Sequence, residues 1–123
     1  MFAQLSAAID ELDAPVDGDA LRELLGLRDR LDAKVSEAMA RFDAAALWDL
    51  DGATSLTAWL RDHGSCTRRS AARSSSIARR LRRLPDTMDA WRDGRLSTGQ
   101  VEAITANEPS FIGQIRIHTR STT

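Results

Sequence analysis

Seven apolar residues spaced three or four apart, Leu24, Leu27, Leu31, Val35, Ala38, Phe42 and Ala45, constrain this chain more than any other feature. At about 100° per residue they fall on one stripe, and Arg, Asp, Glu and Lys occupy the other side. The pattern predicts one uninterrupted amphipathic helix over residues 20–47, about 40 Å long at the α-helical rise. Asp19 stands where an N-cap belongs, with Glu23 near the N-terminal end of the dipole. A helix of that length in a chain of 123 residues needs something to cover its stripe. Two coverings are open: the other helices of the same chain, or a second copy in a homodimer through the 20–47 helix.

The same period recurs in shorter pieces on either side. Phe2, Leu5, Ile9 and Leu12 predict a short amphipathic helix, broken by Pro15 and Gly18. Leu47 to Gly52 turns the chain. Ser55 caps a helix that Gly64 stops, with Leu56, Trp59 and Leu60 facing inward. Thr67 caps the next helix, which ends before Pro85. Asp86 caps a short helix ended by Gly94. Ser97 and Gln100 form a capping box that opens a helix through Val101 and Ile104. Asn107 and Pro109 end it. Beyond them Ile112, Ile115 and Ile117 carry no helix signal, which leaves an edge strand or a loose end. The expected fold class is all-α: a helical bundle with one long helix, several short ones and an irregular C-terminal tail. Residues 1–107 form the helical domain and residues 108–123 a divergent, flexible tail.

Composition narrows the function classes. With 42% apolar and 28% charged residues, the chain can bury a core and is not of the disordered type. No run of about 18 apolar residues suggests a membrane span. The acidic N-terminus lacks the basic region and apolar stretch of a secretory signal. The single cysteine, Cys66, cannot close an internal disulfide, so the expected compartment is the reducing cytoplasm. The net charge of -1 conceals a polarity. Residues 1–51 hold 12 acidic and 5 basic residues, whereas residues 52–123 hold 6 acidic and 12 basic ones. Such asymmetry suggests a polyanion partner for the basic part, or docking of the acidic half on the basic half. Arginine outnumbers lysine 16 to 1, a bias that reflects a GC-rich genome and discounts the arginine count as a functional sign.

Catalytic and metal chemistry find little support. His63 and His118 stand far apart, and His63 with Cys66 lacks a second pair to complete a zinc site. Cys66 reads as an ordinary turn cysteine beside Arg68 and Arg69. No phosphate loop, dinucleotide fingerprint or H-E-x-x-H motif is present. Asp49 and Asp51 read as turn residues. The expectation is a chain that is not an enzyme, with no cofactor, no metal and no small-molecule substrate. The feature left over is arginine. Residues 61–83 contain eight arginines against one Asp. On the helix after Thr67, Ser70, Ser74, Ile77, Ala78, Leu81 and Leu84 share one arc. Arg68, Arg69, Arg73, Arg79, Arg80 and Arg83, with Arg82, share the opposite arc. Guanidinium groups bind phosphate bidentately, so the six are the candidate nucleic-acid contacts, with DNA as the partner. Two helices joined at Gly64 give a loose helix-turn-helix outline. The arginine arc offers no Asn or Gln for adenine, so binding there would be nonspecific or shape-based. The competing reading is a solvated face paired with the acidic half.

Several segments together resemble a known family. They are the long helix ending in Phe42-Asp43, then Asp51-Gly52-Ala53 followed by Ser55 and Trp59-Leu60. The Ala-Arg-Arg-Leu run ending in Leu84-Pro85, and Gly94-Arg95-Leu96-Ser97 with Val101, complete the set. Their order over roughly residues 20–106 resembles the N-terminal helical domain of the actinobacterial 13E12 repeat family, catalogued as domain of unknown function 222. Members of that family commonly continue into an HNH nuclease domain, so the resemblance implies a DNA-directed role. The sequence departs from the pattern after Asn107, and no position matches the nuclease residues. A frameshift, an insertion or a gene remnant would produce such a tail. The expectation is a noncatalytic DNA-binding module. The alternatives are a helical dimerisation module and a nonfunctional remnant.

Overall fold

A computed structural model describes residues 1–13 and 17–106. Every regular element among them is helical. Helix α1 spans Ala3–Asp10, α2 Gly18–Ala44, α3 Leu56–His63, α4 Arg68–Leu81, α5 Pro85–Arg92 and α6 Thr98–Ala106, with a 3-10 turn at Leu47–Asp51. The all-helical class, with one long helix among short ones, is as the periodicity implies. Residues 107–123, with the tail drawn from 108, lie outside the described residues.

Local chemistry explains most of the element ends. Ser55 accepts the Ala58 amide at 3.1 Å, and Thr67 accepts that of Ser70 at 3.1 Å. The Ser97–Gln100 capping box closes in both directions, at 2.9 and 3.1 Å. Two starts differ from expectation. Asp17, not Asp19, caps α2 by accepting from the Ala20 amide at 2.8 Å, and Asp19 pairs with Arg22 instead. The cap moves because the helix starts at Gly18, so the acceptor must lie one residue before it. Likewise Pro85 occupies the first position of α5, leaving Leu84 as its cap and Asp86 in the first turn. Helix α2 stops at Ala44 because Ala46 adopts φ 51°, and Gly52 at φ 78° closes the following 3-10 turn. Gly64 is required for a different reason. A Cβ there would sit 2.8 Å from the Leu60 carbonyl oxygen, while the positive φ of the turn falls on Ser65.

Helix α2 is the spine, and α3, α4, α5 and α6 all pack on it. The face it uses corrects the simplest reading of its stripe. Ala33 and Ser36 are the buried residues of α2. They lie on roughly the opposite side of the helix from Leu27, Leu31 and Val35, which are exposed. A second stripe, Asp29, Ala33, Ser36, Ala40 and Asp43, shares the same period but is made of small and polar side chains. Small residues let helix backbones approach closely, so the core forms there. Trp91, Leu81 and Val101 close over Ala33, with Ile77, Leu84, Met88 and Leu96 around them. A second cluster gathers Leu56, Leu60 and Ala71, flanked by Met39, Phe42, Trp48, Trp59 and Cys66. Phe42 is the one stripe residue that finds an aromatic neighbour, its ring centroid 4.8 Å from that of Trp59.

Polar groups tie the spine to the rest. The Asp43 carboxylate accepts the Trp48 indole N–H at 3.0 Å and the Arg79 Nε–H at 3.2 Å. Asp32 accepts from the Thr98 hydroxyl at 2.8 Å, which in turn accepts the Trp91 indole N–H at 3.2 Å. Arg92 reaches Glu37 at 2.5 Å. The pairs Arg79–Asp43 and Arg92–Glu37 join the basic half to the acidic half. Among the described residues α1 contacts no other element.

Candidate nucleic-acid interface

Helix α4 carries five of the six candidate arginines, with Arg83 just past its end, and its packing decides which of them face outward. The line Ala71, Ser75, Ala78 and Leu81 is buried. Ser70, expected on the inner arc, is exposed, whereas Ser74, Ile77 and Leu84 are half-buried. The face is rotated because α4 is covered by both α2 and α3. Thr57 on α3 donates its hydroxyl to Ser75 at 3.0 Å. Hydropathy weights Ile and Leu and overlooks an approach made through Ala and Ser. The outward arc remains basic, as expected. Arg68, Arg69, Arg73, Arg79 and Arg83 are exposed and Arg80 is half-buried.

The structure separates these residues into two groups. Near the C-terminal end of α4, arginine has structural work. Arg79 is held by Asp43, whose side chain is only 11% exposed. The Arg80 guanidinium donates to the Thr105 backbone carbonyl in the last turn of α6. That placement satisfies an acceptor at a helix end, where positive charge is favoured. Arg79 and Arg80 also lie in the last turn of α4 itself, again the favoured end for cations. Arg73 leans toward Glu102 at 3.8 Å, an exposed contact worth little.

Arg68 and Arg69 are placed against the same rule. They open α4, at the positive end of its dipole, where a cation costs roughly 0.3–1 kcal/mol. No acidic residue stands in that first turn, and neither arginine makes an ion pair among the described residues. Further along, between α4 and α6, a cleft of about 420 Å³ lined by Arg73, Ser76, Ile77, Arg80, Glu102 and Thr105 carries both signs of charge. The arginines set against the helix dipole and outside any ion pair among the described residues are therefore those of the first turn of α4.

Other groups that could carry chemistry are engaged locally. His63 stacks on Trp59, with centroids 5.2 Å apart, and the Trp59 indole donates to Asp51 at 2.8 Å. Trp59 is thus half-buried among aromatic and carboxylate neighbours, and Asp51 serves the turn that precedes α3. The Cys66 thiol donates to the Gly64 carbonyl at 3.5 Å. Among the described residues no group of three or more His, Cys, Asp or Glu is placed to hold a metal ion. No helix among them is long and apolar enough to cross a membrane.

The architecture is that of a small helical module assembled on one long spine. Residues 18–115 match the family model described as Domain of unknown function (DUF222), and the chain belongs to that family. The match begins with α2 and reaches past Asn107. No curated protein and no solved structure matches the chain.

Proposed function

We propose that this chain is a noncatalytic helical module that binds DNA nonspecifically through the N-terminal half of α4. The observation that carries this reading is the placement of Arg68 and Arg69: exposed, without an acidic partner among the described residues, and at the helix end that disfavours them. Arg73 extends the path one turn further, and an arginine held by one carboxylate retains donors for a phosphate. Arg79, Arg80 and Arg83 belong to the outer part of the surface, with Arg79 and Arg80 anchoring the fold. The resemblance to a family whose longer members carry an HNH nuclease domain points the same way. It suggests that the module positions a nuclease encoded in the same protein or alongside it, in the cytoplasm of an actinobacterium.

The test is fluorescence anisotropy of a labelled duplex from about 50 to 300 mM salt. The expected result is a linear fall in log affinity with log salt. Reversing charge in Arg68→Glu/Arg69→Glu should cut affinity at least tenfold and reduce the slope by about 2. No binding at the lowest salt by a folded protein would overturn the reading, as would binding that the double variant leaves intact. A second reading, a helical interaction module, is favoured by the exposed Leu27, Leu31 and Val35 of α2.

A further inference from the structure

A second cleft, of about 250 Å³, opens where α2, α4 and α6 meet. Asp32 and Ser36 line it from α2, Arg73 and Ser74 from α4, and Glu102 from α6, with Trp91 among its walls. Arg68 and Arg69 take no part in it, so what it binds is separate from nucleic-acid contact. Ser36 is the residue that points to a ligand. It is only 6% exposed, yet its hydroxyl makes no hydrogen bond among the described residues. A hydroxyl withdrawn from water without a partner costs free energy, and native interiors leave few such groups.

Its neighbours hold further unused acceptors. Asp32 stands one turn before Ser36 on the same face of α2. One of its carboxylate oxygens accepts the Thr98 hydroxyl at 2.8 Å, and the other accepts from no described residue. Glu102 comes no nearer than 3.8 Å to Arg73, too far for a hydrogen bond. Charge then selects the ligand. Two carboxylates against one guanidinium leave the lining one negative charge in excess, which disfavours an anion. Metal ions are held by larger donor sets, and no group of three or more His, Cys, Asp or Glu is placed for one among the described residues. An ammonium needs less, because its three N–H donors can be met by a carboxylate, a hydroxyl and water. Val35 and Ile77 add apolar wall beside the polar groups. An apolar cavity of about 150 Å³ already holds benzene, so a chain of four carbons has room here.

We propose that this cleft binds a short-chain alkylammonium ion. The nitrogen donates to Asp32 and Ser36, and Glu102 supplies counter-charge from the facing helix. The methylene chain lies along Val35 and Ile77. Binding gives the Ser36 hydroxyl the partner that the fold does not provide.

The test titrates putrescine, a four-carbon chain with an ammonium at each end, into the isotope-labelled full chain at constant ionic strength. Nuclear magnetic resonance follows the Trp91 indole N–H, which is hydrogen-bonded through Thr98 to Asp32. The expected result is a saturable shift with a dissociation constant on the order of 1 mM or tighter. Butyrate, with the same chain length and the opposite charge, should give none. Asp32→Asn keeps the size of the side chain and an acceptor for Thr98, and should weaken binding at least about tenfold. Ser36→Ala should weaken it about threefold without lowering the urea midpoint, because the hydroxyl it removes has no partner in the free protein. Glu102→Gln, on the more exposed side of the cleft, gives a further reading should Asp32→Asn fail to fold. A shift that does not saturate, or that butyrate reproduces, overturns the proposal. So does binding that the charge-neutral variants leave intact. A Ser36→Ala chain that unfolds at lower urea than the parent overturns it too, since the hydroxyl would already have a partner.

Discussion

The two ends of α2 follow different rules. From Ala33 onward the helix is a spine: small residues face α4, α5 and α6, and Asp43 and Glu37 hold arginines from the second half of the chain. Before Ala33 the same helix carries its largest aliphatic side chains, and five of them are exposed once Val35 is counted with them. The difference shows that hydrophobicity and burial are separable along one helix. What buries a face is a neighbour able to approach it. Ala33 and Ser36 permit that approach, whereas Leu27 and Leu31 remain exposed.

This contrast can be tested by substitution, with free energies read from urea unfolding. Trp91→Ala should be the most damaging, losing about 3–5 kcal/mol, because Trp91 is buried over Ala33 and its indole is hydrogen-bonded to Thr98. Leu60→Ala, in the second cluster, should cost about 2–5 kcal/mol. Asp43→Ala should cost about 1–3 kcal/mol, since it leaves the Trp48 indole and the Arg79 guanidinium without their acceptor at the spine's C-terminal end. Ser55→Ala removes an N-cap and should cost about 1 kcal/mol. At the other end of the scale, Leu27→Ala should stay within about 0.5 kcal/mol of the parent, because Leu27 is exposed. A loss at Leu27 equal to that at Leu60 would break the comparison, because it would place the stripe inside a core.

Much of the fold was legible because it depends on short-range chemistry. Ser55, Thr67 and the Ser97–Gln100 pair cap their helices as their side chains suggest, and Gly94 closes α5 with φ 84°. The core face of α2 was not legible, for a physical reason. Two stripes share one helical period, and hydropathy picks the leucines, whereas packing picks Ala33 and Ser36. The same bias rotated the inner face of α4 away from Ala71 and Ser75. Within the candidate site, the basic arc of α4 could be read from spacing alone. The division between Arg68 and Arg69 at one end and Arg79 and Arg80 at the other could not. It depends on Asp43, 36 residues away from Arg79, and on the Thr105 carbonyl, 25 residues from Arg80. A cation in the first turn of a helix without a nearby carboxylate is a signal that sequence does contain, and it singles out Arg68 and Arg69.

Helix α6 is fastened at both ends, by the Ser97–Gln100 box at its start and by Arg80 at the carbonyl of Thr105. The second fastening has a mechanical consequence. Ala106, the last residue of α6, follows directly on the pinned carbonyl. A load applied at that end of α6 is therefore shared with α4 through a guanidinium fork, so the helix that carries the arginines also acts as a brace against unwinding of α6.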